Sequence, residues 1–297
     1  MNILTQKAGL KQFLDKLRAE GKTIGFVPTM GALHAGHISL IKIAQQQCDV
    51  VVCSIFVNPT QFNDKKDLER YPRTLEKDTE LLVKANCDFL FYPEIEEMYP
   101  EEDKRTFDFG FLDKTLDGAF RPGHFNGVGQ IVSKLFDAVE PDKAFFGEKD
   151  FQQVLVIKEM VSQLNYKLEI VSCPILREKD GLAMSSRNTL LNEAERTAAS
   201  LIPILMNAAK EDFVSGASIE NIKLKLTAKI NAEPLFKLDY FEIRNTSDLN
   251  EFDASTDKEA VILIAVFCGR IRLIDNLVVG LGLFVVRHEL VEGRVEE

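Results

Sequence analysis

Hydrophobic and polar positions follow two periods along the first 173 residues. Residues 10–20 and 128–139 repeat apolar side chains at helical spacing, whereas 50–57 is an almost continuous β-branched run typical of a strand buried on both faces. The predicted strands are 23–27, 50–57, 88–92, 143–146 and 168–172, and the predicted helices are 10–20, 38–47, 75–86, 128–139 and 151–164. This alternation predicts βαβ units, an α/β fold and a parallel sheet.

The pattern changes near Pro174. Residues 175–191 are polar and typical of a loop, and Asn192 with Glu195 has the spacing of a capping box that opens a helix to about 214. A second helix is predicted over about 218–231, followed by strands at 238–244, 260–267 and 271–279 with short connections. We therefore predict two domains, 1–174 and 175–297, the second with an antiparallel sheet.

Charge and cysteine content narrow the class of protein. The chain has 297 residues, with 36 Lys and Arg against 46 Asp and Glu, a net charge of −10 that argues against binding nucleic acid or an anionic membrane. The five cysteines are dispersed, which favours buried thiols in a reducing cytoplasm. The longest apolar runs, 260–268 and 277–286, are shorter than a membrane span. We expect a soluble, cytoplasmic enzyme.

The richest candidate segment is PTMGALHAGH at 28–37, between a predicted strand and a predicted helix. Small residues there let the backbone approach a ligand, and a helix N-terminus favours phosphate. Imidazole N–H groups of His34 and His37 can stabilise charge on phosphate oxygens. One histidine in a turn is typically a packing or capping residue, but two in this spacing favour a nucleotide site.

Two other segments offer cations for a phosphate chain. Residues 184–188, MSSRN, place hydroxyls and a guanidinium on a polar loop, and 146–153, FGEKDFQQ, lead from a strand into a helix. Asp150 has an ordinary alternative role as an N-cap, with Gln153 as its capping-box partner. Lys149 has no such structural explanation and suits a phosphate.

Three further features have open interpretations. Asn58 and Gln61 follow a buried strand, where their amides can bind a hydroxy acid or an amine, or simply form a turn. Asp78 lies on the apolar stripe of its helix and needs a partner: a cation, Mg²⁺ or a helix-end amide. The loop 121–127, RPGHFNG, is either a mobile lid or a connection with an N-cap at Asn126.

Together these segments strongly resemble the pantothenate synthetase (pantoate–β-alanine ligase) family. The matching stretches are PTMGALHAGH at 28–37, IFVNPTQF at 55–62, YPRT at 71–74, RPGHFNGV at 121–128, FFGEKDFQQ at 145–153, REKDGLAMSSRN at 177–188 and RLIDN at 272–276. The resemblance implies a Rossmann-like, doubly wound parallel sheet with a smaller C-terminal α+β lid domain, and a homodimer. It also implies ATP-dependent joining of pantoate and β-alanine through a pantoyl adenylate, assisted by Mg²⁺, with release of AMP and pyrophosphate.

The resemblance further assigns roles to residues. It implies that ATP contacts Met30, Gly31, Ala32, Leu33, His34, Ala35, Gly36, His37, Gly147, Glu148, Lys149, Asp150, Leu176, Met184, Ser185, Ser186 and Arg187. It implies catalytic roles for His37, His34, Lys149 and Arg187, and substrate-binding roles for Gln61, Gln153 and Asn58. Asp78 is the one named Mg²⁺ candidate. The substrates expected are small molecules, with no nucleic acid and no membrane.

Two other hypotheses compete with this one. A different nucleotidylyltransferase would carry the same two-histidine motif, and a non-catalytic nucleotide-binding protein could keep the fold. The NPTQF, GEKDFQQ and MSSRN segments argue against the first, and retention of both histidines, Lys149 and Arg187 argues against the second. The stretch 280–297, including His288, departs from the family, which normally ends soon after Asn276, and has no assigned role.

Overall fold

The computed structural model describes residues 1–62 and 65–280. The chain divides into two units, Met1–Leu176 and Arg177–Glu297. The predicted boundary at residue 174 lies two residues before this division. The atypical stretch predicted at 280–297 falls, after Gly280, outside the described residues.

The first unit is built on a parallel sheet of six strands. Its strands are β1 (Asn2–Leu4), β2 (Ile24–Thr29), β3 (Val50–Ile55), β4 (Phe89–Phe91), β5 (Lys143–Gly147) and β6 (Glu169–Cys173). Their order is β1-β4-β3-β2-β5-β6, and every neighbouring pair is parallel. The prediction of an α/β fold with a parallel sheet is confirmed.

Helices cover both faces of this sheet. They are α1 (Lys7–Ala19), α2 (Ala35–Gln47), α3 (Lys65–Arg70), α4 (Leu75–Lys84), α5 (Ile95–Met98), α6 (Leu116–Phe120), α7 (His124–Val139) and α8 (Phe151–Gln163). Alternate residues of β3 point to opposite cores: Val50 and Val52 pack with α1, α7 and α8, whereas Val51 and Cys53 pack with α2 and α4. A strand that is apolar at every position is thereby buried on both faces.

Helix α7 is buried over most of its surface, and its start differs from the prediction. It begins at His124 after Gly123, a residue with φ of +80°. Asn126 is therefore not the N-cap; its side chain accepts from the Phe107 amide and donates to the Arg105 carbonyl. The segment around 103–109 covers the outer face of α7, which explains why Gln130 is also buried and bonded to it.

The order of the strands defines a topological switch point. The chain leaves β2 toward β3 on one side, whereas β5 pairs with β2 on the other side. The loops after β2 and β5 therefore diverge at the carboxyl edge of the sheet, where open α/β sheets bind their ligands. These two loops are 30–34 and 148–150, which carry the predicted nucleotide contacts.

The second unit contains α9 (Glu193–Ala199), α10 (Leu201–Val214) and α11 (Ile219–Asn231) and an antiparallel sheet β7-β8-β9. The strands are β7 (Phe236–Asn245), β8 (Glu259–Cys268) and β9 (Ile271–Gly280). The predicted capping box of Asn192 and Glu195 is present. The single helix predicted to about 214 is interrupted at Ser200, because Pro203 has no N–H to continue the ladder to Ala199.

Four short elements were not predicted: β1, α3, α5 and α6, which have three to six residues each. Segments this short do not repeat a period often enough to be recognised. Within residues 1–62 and 65–280, no helix is long and apolar enough to cross a membrane.

Candidate active site

The loop after β2 presents two histidines as the start of α2. His34 is the N-cap, and its Nδ1 accepts from the Gly36 amide at 3.1 Å. The His34 amide in turn donates to Nδ1 of His37 at 3.3 Å, and the two ring centroids are 4.1 Å apart. Both Nδ1 atoms act as acceptors, so each neutral ring carries its hydrogen on Nε2. The capping role considered from the sequence is thus present, and it orients the rings as N–H donors.

The electrostatics of His37 keep its ring neutral. Burial is the main cause that lowers the pKa of His37 to about 3, and the neighbouring His34 ring and the positive charge of Lys149 lower it further. The charge of Lys149, in the loop after β5, therefore acts electrostatically on the ring of His37, which follows the loop after β2. At neutral pH the site therefore offers imidazole N–H donors beside a lysine ammonium, a set suited to phosphate oxygens.

The backbone that precedes these histidines is bound by Asp78 of α4. This carboxylate is 1% exposed, and its two oxygens accept from the amides of Ala32 at 2.9 Å and Leu33 at 2.8 Å. Of the partners considered from the sequence, backbone amides are the ones present. In the described part of the chain, no group of three or more His, Cys, Asp or Glu side chains is placed to hold a metal ion. The metal role of Asp78 stays a prediction.

The turn after β3 positions Gln61. Residues Pro59–Gln61 form a short 3₁₀ helix, and the buried Gln61 side chain donates to the Met30 sulfur at 2.8 Å. Asn58 is 1% exposed; its amide donates to Gln61 Oε1 at 3.3 Å and to the Gly127 carbonyl at 3.1 Å. Its Oδ1 accepts from the hydroxyls of Thr60 and Tyr99. Asn58 therefore holds the side-chain amide of Gln61 in place.

His124 and Arg121 belong to the same cluster, although sequence reasoning gave them no role. His124 is 6% exposed, and its Nδ1 donates to the Gln61 carbonyl at 2.8 Å while Nε2 accepts from Arg121 at 2.9 Å. Burial and the Arg121 charge lower the pKa of His124 to about 4. A Cβ at Gly127 would lie 2.5 Å from the Thr60 carbonyl oxygen, so glycine is required for this close approach. In the sequence, the signal that could have identified these two residues is the presence of an Arg and a His in the Gly-rich loop 121–127.

The loop after β5 carries Lys149, whose side chain is 18% exposed with Nζ 3.8 Å from Asp150 Oδ1. Asp150 occupies the N-cap position of α8, but its side chain makes no capping hydrogen bond. The predicted capping box with Gln153 is therefore wrong. The neighbouring Gln152 is the buried structural residue: it donates to the carbonyls of Leu112 and Thr115 and accepts from the Asp117 amide. Gln153 is half-buried on the same turn.

The predicted phosphate loop of the second unit is held by ionic contacts. Ser185 caps the 3₁₀ turn Ser186–Leu190 by accepting from the Arg187 amide at 3.3 Å, and Met184 to Arg187 are half-buried. At its base, Arg177 makes a bidentate pair with the buried Asp275, at 2.7 and 2.9 Å. Leu176, predicted to face adenine, is the last residue of the first unit and is 39% exposed.

Glu178, near the start of this loop, contacts residues near its end and on the following helix. One oxygen of its carboxylate accepts from the side-chain amide of Asn188 at 2.6 Å, and the other accepts from Arg196 of α9 at 2.7 Å. Arg196 also pairs with Asp180 at 2.6 Å. Asn188 directly follows Arg187, so these contacts fix the position of the chain at the end of the predicted phosphate-binding segment.

Comparison with known proteins decides the family. The family model for pantoate-beta-alanine ligase matches residues 2–278. The chain belongs to the pantoate-beta-alanine ligase family. The resemblance drawn from the sequence is confirmed.

Individual members of the ligase family agree along most of their length. The chain is 52% identical over 278 residues to the pantothenate synthetase of Porphyromonas gingivalis, covering 93% of this chain and 99% of that one. It is 54% identical over 275 residues to the Phocaeicola vulgatus pantothenate synthetase, covering 90% and 95% of the two chains.

Two solved structures of the family extend this likeness. The crystal structure of Thermus thermophilus pantothenate synthetase has a TM-score of 0.87 at 40% identity, covering 93% of this chain and 99% of that one. The Francisella tularensis pantoate-beta-alanine ligase, complexed with beta-gamma ATP and beta-alanine, has a TM-score of 0.75 at 35% identity, covering 93% and 97%. The ligands named in the second structure are an ATP compound and one of the two substrates implied by the sequence motifs.

Proposed function

We propose that this chain is an ATP-dependent ligase that joins (R)-pantoate to β-alanine through a pantoyl adenylate and releases AMP and pyrophosphate. The observation that carries the proposal is the family match over residues 2–278. The site agrees with it, because His34, His37 and Lys149 come together at the switch point of the sheet, where a nucleotide is expected.

In the first step, a carboxylate oxygen of pantoate attacks the α-phosphorus of ATP, and the bond to pyrophosphate breaks. Neutral His34 and His37 donate Nε2–H hydrogen bonds to phosphate oxygens, and the Lys149 ammonium balances charge that develops there. A single positioned donor of this kind contributes about 10²- to 10³-fold in rate. Met30 to His37, Gly147 to Asp150, the backbone of Leu176, and Met184 to Arg187 are the proposed ATP contacts.

In the second step, the amine of β-alanine attacks the acyl carbon, the bond to AMP breaks, and the amine loses a proton. We assign Gln61 to pantoate and β-alanine and Gln153 to pantoate, and Asn58 holds the Gln61 amide in place. Because AMP is a good leaving group, the step needs no side-chain nucleophile, and orientation of the two substrates supplies most of the rate.

Three further properties are part of the proposal. Mg²⁺ enters with ATP as its counter-ion, since the described residues offer no three-ligand cluster for a metal of their own. The enzyme is a homodimer, as the family resemblance implies. It works in the cytoplasm, which agrees with five buried cysteines that form no disulfide.

The test is a pyrophosphate-release assay on the purified full chain with Mg²⁺-ATP. Pantoate alone is expected to release one equivalent of pyrophosphate per enzyme and to leave pantoyl adenylate bound, whereas addition of β-alanine gives continuous turnover with pantothenate and AMP in equal amounts. Controls omit pantoate or replace it with phosphorylated acceptors. Turnover with a phosphorylated acceptor and none with pantoate would identify a different nucleotidylyltransferase, and no turnover at all would leave a nucleotide-binding protein.

A further inference from the structure

The turn that leads into the histidine motif has an unusual backbone. Gly31 has φ of +82° and Ala32 has φ of +49°, so two successive residues adopt left-handed conformations. Glycine does so without a steric penalty, whereas alanine is strained there. A Cβ at Gly31 would lie 3.0 Å from Ile55 and 3.1 Å from Asp78 Oδ2, so a side chain there would crowd both residues in addition to the strain of its φ.

A left-handed turn of this kind points successive N–H groups into one concavity that binds anions. Here the anion in that concavity is a side chain of the protein. The amides of Ala32 and Leu33 both donate to the Asp78 carboxylate, one to each oxygen, at 2.9 and 2.8 Å. Thr74 donates a third hydrogen bond to Oδ1 at 3.1 Å, and the carboxylate is buried.

This arrangement disagrees with a metal role for Asp78. Both of its oxygens lie within hydrogen-bond distance of N–H donors, and a cation placed there would face the positive ends of those amides. Mg²⁺ requires octahedral oxygen ligands, usually one or two carboxylates with waters and substrate phosphates, and a carboxylate that joins such a set needs an oxygen lone pair directed at the metal and not at amide N–H groups. Within residues 1–62 and 65–280, no set of acidic or histidine side chains completes such a site.

The bound turn is directly joined to the reacting groups. Leu33 precedes His34, whose amide donates to the His37 ring and whose own ring caps α2. We propose that Asp78 is a positioning residue that holds the left-handed turn at Gly31 and Ala32, and through it the two histidines, and that it is not a magnesium ligand. The proposal rests on the ligase function proposed above.

The central test is a double-mutant cycle between Asp78→Asn and Ala32→Gly. Asparagine keeps the shape of Asp78 but has one acceptor oxygen, so its NH₂ group opposes one of the two amides. Asp78→Asn is expected to lower kcat for pantoate-dependent pyrophosphate release by about tenfold or more, with a smaller change in the KM for ATP. In the Asp78→Asn background, Ala32→Gly is expected to recover part of the lost rate, measured against the rate of Ala32→Gly alone, because glycine adopts the turn without help.

Two measurements separate positioning from metal binding. The Mg²⁺ concentration that gives half-maximal activity is expected to be the same in wild type and Asp78→Asn, and so is Mn²⁺ binding to the protein without nucleotide. Nitrogen-15 NMR of the imidazoles is expected to show Nε2–H tautomers in wild type and a mixture in Asp78→Asn. A raised Mg²⁺ requirement, or recovery of Asp78→Asn by excess Mg²⁺, would overturn the proposal.

Matched variants guard against a general loss of stability. Asp88 also accepts a backbone amide, that of Val51 at 2.8 Å, at the opposite edge of the sheet, so Asp88→Asn is expected to keep kcat. If Asp78→Asn does not fold, Thr74→Val serves instead: it keeps the carboxylate and is expected to lower kcat with an unchanged Mg²⁺ requirement. Equal kcat in the Asp78 and Asp88 variants, or no recovery by Ala32→Gly, contradicts positioning. Failure of wild type to make pantothenate contradicts the ligase function instead.

Discussion

Different forces hold two of the three segments with predicted phosphate contacts: the turn after β2, and the loop of the second unit beyond the Arg177–Asp275 pair at its base. The turn after β2 is bound by a carboxylate that is 1% exposed, through hydrogen bonds to backbone amides. The loop of the second unit is bound through Glu178 and Arg196, whose side chains are 29% and 32% exposed. Buried hydrogen bonds to a charged group contribute about 1.5–3 kcal/mol each, whereas exposed ion pairs contribute about 0–1 kcal/mol.

This difference separates a preorganised turn in the first unit from an adjustable loop in the second unit. Hydrogen bonds that are shielded from water keep their strength at any salt concentration, so His34 and His37 are oriented before substrate arrives. Partly exposed ion pairs weaken as salt screens them. The 184–187 segment is thus expected to respond to ionic conditions, while the histidine turn does not.

The largest effect is expected from His37. His37→Ala removes a donor from the preorganised turn and is expected to lower kcat by about 10²-fold or more. Two conservative variants separate its two nitrogens: Gln retains a donor near Nε2, and Asn retains an acceptor near Nδ1 for the His34 amide. Single-turnover adenylate formation is expected to recover in part with Gln and to stay low with Asn. Equal rates in these two variants would remove Nε2 from the mechanism.

The next effect compares one cation from each unit: Lys149 in the loop after β5 and Arg187 in the loop of the second unit. Lys149→Met and Arg187→Met are each expected to lower kcat/KM for ATP by about 10- to 10²-fold. The Lys149 charge lowers the pKa of His37, so its removal is expected to raise that pKa from about 3, as measured by NMR titration. Arg187→Met serves as the comparison in that titration. An unchanged His37 pKa in Lys149→Met would mean that the Lys149 charge, in the loop after β5, does not act on the His37 ring.

A smaller effect tests the ionic support of the second loop. Glu178→Gln weakens the contacts to Asn188 and Arg196 and is expected to raise the KM for ATP about two- to fivefold, with little change in kcat. In wild type the same KM is expected to rise with added NaCl, and less so in the variant. Lys225→Met, which breaks the ion pair to Asp212 in the same unit, is the control and is expected to match wild type.

The smallest effect expected near neutral pH is a change in folding stability that comes from the two buried histidines. The folded-state pKa values of His37 and His124 are about 3 and 4, below the usual 6.5. Between those values and 6.5 the unfolded chain binds more protons, so stability is complete above about pH 6.5 and falls as pH decreases. Urea unfolding between pH 7.5 and 5 is expected to show this decline, with a shallower slope in His124→Gln. Activity is expected to show no inflection near pH 6.5 from His37.

The long elements were more predictable from sequence than the short ones because their signals are stronger. A fully buried strand such as β3 and a striped helix such as α7 repeat their pattern over many residues, so the alternation and the parallel sheet follow directly. The break at Ser200 depends on one proline near a helix start, and the β1 strand has three residues. Short elements are stabilised by neighbours that are distant in sequence.

For the candidate active site, residue type and local spacing were enough to identify the family and to propose the groups that carry the chemistry: the two histidines, Lys149, Gln61 and the MSSRN segment. The partners of these groups became visible only in the folded chain. Asp78 meets amides 45 and 46 positions away, and His124 donates to the Gln61 carbonyl 63 positions away. Such contacts exist only once the sheet brings its carboxyl-edge loops together, and they orient the groups that the sequence supplies.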